Sequence, residues 1–105
     1  MLKGAAARLG GVEIPKHEDT ETTFSELKAR IAKVRTFIDS IPAANFAGSE
    51  TKAITLNMRR GDLHFSGLDY LRHFVLPNFY FHATTTYVIL RHNGVELGKD
   101  DFIGA

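Results

Sequence analysis

Hydrophobic positions change their period along the chain, and each change marks a new element. Phe24, Leu27, Ile31, Val34, Ile38 and Ile41 recur at steps of three and four. That spacing draws one apolar stripe down a helix. Thr23-Phe24-Ser25-Glu26 supplies a capping box at its start: the Thr hydroxyl accepts from the third amide and Glu26 reaches back. Pro42 disfavours helical geometry at Ile41. The pattern predicts a helix over 23–41, with Glu26 and Arg30 paired across one turn on the wet side.

Upstream, Leu2, Ala5, Ala6 and Leu9 fall at helical spacing, and Gly10-Gly11 stops them. No N-cap precedes this segment, which reads as the end of a helix begun earlier. Residues 12–22, with Pro15 and a polar run, have no period and form a connector. After a loop over 43–52 the period drops to two. Ile54, Leu56 and Met58 alternate with Thr55 and Asn57, and Leu63 and Phe65 flank His64. Between them Arg59-Arg60-Gly61-Asp62 offers a glycine for a turn. The prediction is a β-hairpin over 53–58 and 62–66. Its apolar face must lie on the helices, because an isolated hairpin is marginal in water.

A third helix starts after Ser66-Gly67-Leu68-Asp69 and runs toward Arg91-His92-Asn93, with Gly94 as the stop. Pro77 lies inside it and predicts a kink or break near 73–77. The stretch 74–82 is apolar or aromatic nearly all round, which predicts burial on more than one side. Residues 95–105 form a tail whose Val95, Leu97, Phe102 and Ile103 pack back on the helices.

Composition narrows the class. With 24% charged and 44% hydrophobic residues and a net charge of +1, residues 1–105 make one soluble globular domain. Lys+Arg number 13 against 12 Asp+Glu, so no basic stripe points to nucleic acid. Arg59-Arg60 is a solvated turn pair, and Arg60-Gly61-Asp62 is turn chemistry rather than an adhesion signal. No apolar run approaches the roughly 20 residues of a membrane helix. The opening residues do not form a signal peptide, and the expected compartment is the cytoplasm. Cysteine is absent, which removes disulfides, thiolate ligands and a Cys nucleophile.

Chemistry falls to the five histidines. His17 sits in the polar connector, His64 faces out from the hairpin and His92 closes the third helix; all three read as surface or capping groups. His82 differs. At 100° per residue it shares a face with Val75, Asn78, Phe79, Thr85 and Thr86. Asn78 lies one turn before it, and the threonines add hydroxyls, giving a polar island on an apolar face. Two roles stay open for it: a satisfied packing network, or a pocket for a small ligand or metal. His73 falls on the opposite side of a regular helix. No His-Glu-x-x-His, Gly-x-Ser-x-Gly or phosphate-loop run occurs.

The run Asp69-Tyr70-Leu71-Arg72-His73-Phe74-Val75-Leu76-Pro77-Asn78-Phe79-Tyr80-Phe81-His82 and the later Ile89-Leu90-Arg91-His92-Asn93-Gly94-Val95-Glu96-Leu97-Gly98-Lys99 resemble the bacterial family of unknown function DUF1993. Lys3-Gly4-Ala5-Ala6-Ala7-Arg8-Leu9, Glu21-Thr22-Thr23-Phe24 and Leu27-Lys28-Ala29-Arg30-Ile31 fit it too. That family is similar to the DinB/YfiT-like metalloenzyme superfamily. The resemblance implies a mainly α up-and-down four-helix bundle, often dimeric, here lacking its first helix and part of its second and carrying a small β-hairpin. It makes the chain the C-terminal two-thirds of such a bundle.

Superfamily enzymes hold a divalent metal on three histidines, two of them four residues apart on the last long helix. The resemblance places the later of that pair on His82 and the earlier on Asn78, an amide and a poor zinc ligand. The third ligand falls upstream of Met1. His82 thus stands as a vestigial metal residue, and no cofactor is expected for this chain alone. Asn78, His82, Tyr80 and Thr85 are the candidate ligand-pocket residues, and Asn78 and His82 are expected to form a buried polar pair. The implied function is an uncharacterised helical module, non-catalytic, binding or structural, and homodimeric through its aromatic helix. The alternative is a Zn- or Ni-dependent enzyme of the thiol-transferase or hydrolase type.

Overall fold

The first helix, α1 (Leu2–Gly10), buries its small face, Ala5, Ala7 and Gly10. Small residues let neighbours come close: a Cβ added at Gly10 would stand 2.7 Å from Cγ2 of Ile41. Gly11 ends the helix in the left-handed region at φ 67°. In the computed structural model, which describes residues 1–104, a connector without regular structure then leads to α2 (Phe24–Asp39).

The predicted capping box is present. Glu26 N–H donates to Thr23 Oγ1 at 3.2 Å, and the amides of Thr22 and Thr23 donate to Glu26 Oε2 at 2.7 and 2.9 Å. That duty takes Glu26 away from Arg30, so the expected i,i+4 pair does not form. Arg30 instead reaches back to the connector, 2.6 Å from Asp19 and 2.9 Å from Glu21. It ties the connector to α2.

Two short 3₁₀ turns, Ala43–Phe46 and Ser49–Thr51, follow. They lead into an antiparallel hairpin, β1 (Ala53–Leu56) and β2 (Leu63–Ser66). Ile54 opposes Phe65 and Leu56 opposes Leu63, so the apolar residues share one face as the period predicts. Ile54 and Leu56 are buried, whereas Met58 and Leu63 lie at the turn end and are exposed. Asn57 Nδ2 donates to Asp62 Oδ1 at 3.0 Å across the turn, and Gly61 takes φ 116°.

Helix α3 covers residues 67–92 in three consecutive stretches: an α-helical start (Gly67–Asp69), a π-helical middle (Tyr70–Val75) and a long α-helical run (Leu76–His92). Ser66 caps it, its Oγ accepting from Asp69 N–H at 3.2 Å. The expected break at Pro77 is replaced by this widened turn. Proline has no amide to give, and its ring crowds the carbonyl four residues back. A wider turn just ahead relieves that crowding while the helix continues. The tail ends in a short helix, α4 (Lys99–Ile103). It packs back through Phe102, which meets the Tyr87 ring edge to face at 5.1 Å.

The core lies where α1, the hairpin and the widened half of α3 meet. Ala5, Ile54, Leu56, Tyr70 and Val75 are its buried centre, with Leu9, Phe65, Leu71 and Phe74 against them. Tyr70 is 2% exposed, stacks on Phe74 at 5.7 Å and accepts from Arg8 Nη1 at 3.2 Å. Beyond Val75 the expected burial of the 74–82 stretch on more than one side is corrected. No residue of α2 is buried, and none of the Leu76–His92 run is buried. Phe24 is 85% exposed, and Phe81 and Val88 also stand in solvent. Helical period identifies an apolar face; it does not supply the surface that covers it. The chain is mainly helical with a small antiparallel sheet. Among the described residues no helix is long and apolar enough to cross a membrane.

Candidate functional site

The histidine face of α3 is held at one end by the core. Val75 is buried, and one turn later Asn78 is half-buried. Asn78 Nδ2 donates to the Phe74 carbonyl at 2.7 Å, so its amide turns back along its own helix rather than toward His82. His82 is exposed, with the Phe81 ring edge to face at 5.4 Å. Thr86 Oγ1 donates to the His82 carbonyl at 2.8 Å. The expected buried Asn78–His82 pair is therefore corrected: the residues stand one turn apart, but His82 lies in solvent and Asn78 is satisfied by backbone.

His82, Phe79, Ala83 and Thr86 border an open depression closed on its other side by Met1 and Leu2 of α1. The remaining candidates do not join it. Thr85 is exposed beside this face. Tyr80 is 53% exposed and, two residues before His82, lies about 200° round the helix. Its ring pairs with Phe79 at 5.3 Å instead.

As a metal site, this arrangement offers one imidazole. Among the described residues no three His, Asp, Glu or Cys side chains converge. A protein zinc site requires three or four such donors. The residues of this chain do not by themselves fit a three-histidine centre. His73 lies 3.7 Å from Asp69 on an exposed turn, and Thr55 Oγ1 lies 3.1 Å from His64 Nδ1 on the outer hairpin face.

His17 corrects the sequence reading differently. It is half-buried rather than free on the connector, and its Nδ1 has no partner. Desolvation, then the nearby Lys3, Lys33 and Arg30 cations, hold its pKa below the ordinary imidazole value; Glu21 opposes them. Glu26 is held below the ordinary carboxylate value by the Thr22 and Thr23 amides. A second concavity, between the end of α3 and the tail, is invisible to the sequence period, because half its wall comes from residues 97–102.

The comparisons place this geometry. The family model described as "Domain of unknown function (DUF1993)" matches residues 1–103. The chain belongs to the DUF1993 family. Its fold is similar to the crystal structure of a DinB family member protein from Shewanella denitrificans, at 45% identity and a TM-score of 0.87. The match covers 98% of this DUF1993 chain and 58% of that protein, so the chain spans little more than half of its length. No curated protein matches.

Proposed function

We propose that this DUF1993 chain is a non-catalytic binding or structural module, the larger part of a DinB-like four-helix bundle whose metal site is degenerate. The observation that carries this reading is the state of Asn78. At the position one turn before His82, the side chain is an amide that spends its donor on the Phe74 carbonyl. An i,i+4 histidine pair would stack two imidazoles on one face; here one imidazole remains, exposed, and among the described residues no three His, Cys, Asp or Glu side chains converge. The similarity to a DinB family member of greater length supports the bundle assignment.

The apolar faces of α2 and α3 support self-association into a homodimer. Phe24, Ile31, Phe81 and Val88 stand among exposed large hydrophobics on surfaces that water disfavours. Sedimentation giving dimers at micromolar concentration supports that part; a compact monomer throughout removes it.

The degenerate-site reading is tested by elemental analysis of the purified chain and calorimetric titration with zinc, nickel and manganese. The expected result is no stoichiometric metal and no heat of tight binding. Submicromolar, one-to-one binding abolished by His82→Ala would overturn it in favour of the metal-dependent enzyme.

A further inference from the structure

Between the C-terminal half of α3 and the tail lies a slot of about 250 Å³ with almost wholly apolar walls. Tyr87 and Val88 form the α3 side, and Leu97 and Phe102 the tail side. Two cationic side chains, Arg91 and Lys99, stand on the lining, and no acidic side chain does. Among the described residues no acidic side chain forms an ion pair with either of them. Asp101 turns Oδ2 onto the Gly98 amide at 2.7 Å. Among the described residues the ion pairs involve other groups: Arg30, Arg35 and His73 supply the cations.

We propose that this slot binds a small aromatic carboxylate, its ring between Tyr87, Val88, Leu97 and Phe102 and its carboxylate toward Arg91 and Lys99. Three features select that class. The volume sits just under the range of drug-sized pockets, which limits the guest to one or two fused rings. The apolar walls give a hydrated inorganic anion such as phosphate little to replace its water. The two unpaired cations favour an anion over a neutral or cationic aromatic of equal shape. An Arg guanidinium matches a carboxylate in bidentate fashion, and Lys adds a point charge. The slot is separate from the depression at His82, so the two assignments stand or fall independently.

The test is an NMR titration of the isotope-labelled chain with 2-naphthoate and with neutral 2-naphthamide. Naphthoate is expected to shift the amides of residues 84–102 saturably, with a Kd on the order of 0.1–1 mM for a guest of this size. Naphthamide is expected to bind at least about tenfold more weakly, and the double variant Arg91→Gln, Lys99→Gln to lose about tenfold for naphthoate while melting unchanged. Both side chains are exposed, so the variant leaves the fold intact. Three results would overturn the proposal: no saturable shift with naphthoate up to roughly 10 mM, equal affinity for the two probes, or a double variant that binds naphthoate as the parent does.

Discussion

Gly67 fixes where α3 begins, and its replacement should be among the costliest single-methyl changes in the chain. The residue is buried at the first position of α3, against the turn Ser49–Thr51. A Cβ built there would overlap the Ser49 carbonyl oxygen and stand 2.9 Å from its carbon. The obstacle is backbone, so no rotamer change relieves it. The two segments must separate, which opens the packing beneath. Overpacking of a tight site costs about 1–3 kcal/mol, and a clash with main chain belongs at the top of that range. The helix-propensity gain of Ala over Gly returns at most about 1 kcal/mol. Gly67→Ala should therefore lose about 2–3 kcal/mol, a fall of roughly 10–20 °C in Tm for a domain of this size. Gly10→Ala provides the comparison. Its added methyl meets a side-chain methyl of Ile41 at 2.7 Å. That methyl sits on the stiff Cβ of buried Ile41, so relief needs a small shift of the Ile41 segment, and the loss should be about 1–2 kcal/mol. Urea unfolding of the three proteins reads both values. A Gly67→Ala variant within about 0.5 kcal/mol of the parent, or less affected than Gly10→Ala, refutes the argument from backbone contact.

Tyr70→Ala should cost about 3–5 kcal/mol through the cavity left beside Phe65 and Phe74. Tyr70→Phe should cost only about 1–2 kcal/mol, because the ring stays and the Arg8 bond alone is lost; equal losses in thermal melts would show that the hydroxyl dominates. His17 should make stability fall on acidification. Its folded pKa lies below the ordinary 6.5, so as pH drops through 6.5 the unfolded chain takes up a proton sooner than the folded one. His17→Gln should flatten the melting-temperature profile below pH 6.5, and a slope unchanged in that variant assigns the effect elsewhere. Glu26 adds a second loss below its ordinary 4.5, where protonation breaks the cap, and Glu26→Gln should reduce that acid limb in the same melts.

Local signals in the chain translate directly into structure, and long-range ones do not. The Thr23–Glu26 capping box, the Gly11 stop, the hairpin face and the start of α3 at Ser66 all follow from contacts within a few residues. Arg30 departs from its helix neighbour because Glu26 was already committed to the cap. Pro77 marks a disturbance, but whether a helix breaks or widens depends on what packs against it. Here Tyr70 and Val75 are buried within the widened stretch, which holds the helix in place through the disturbance. Burial was the least legible property. The α2 stripe and the aromatic run of α3 have the right residue types for a core, yet Phe24, Leu27 and Ile31 of the first and Leu76, Tyr80 and Phe81 of the second face solvent. At the candidate site the i,i+4 relation of Asn78 and His82 was legible, while the turn of the Asn78 amide onto the Phe74 carbonyl, a choice of rotamer that Asn93 repeats onto Ile89, was not.

In the proposed reading Asn78 leaves His82 without a metal partner, and Asn78→His would restore that partner. Zinc and nickel titrations of the parent chain and of Asn78→His, followed by calorimetry, compare one imidazole with two on adjacent turns of α3. The parent is expected to show no tight binding, and Asn78→His to gain affinity on the order of micromolar, as two stacked imidazoles begin a metal site. Tight binding by the parent, unimproved by Asn78→His and lost in His82→Ala, would contradict it.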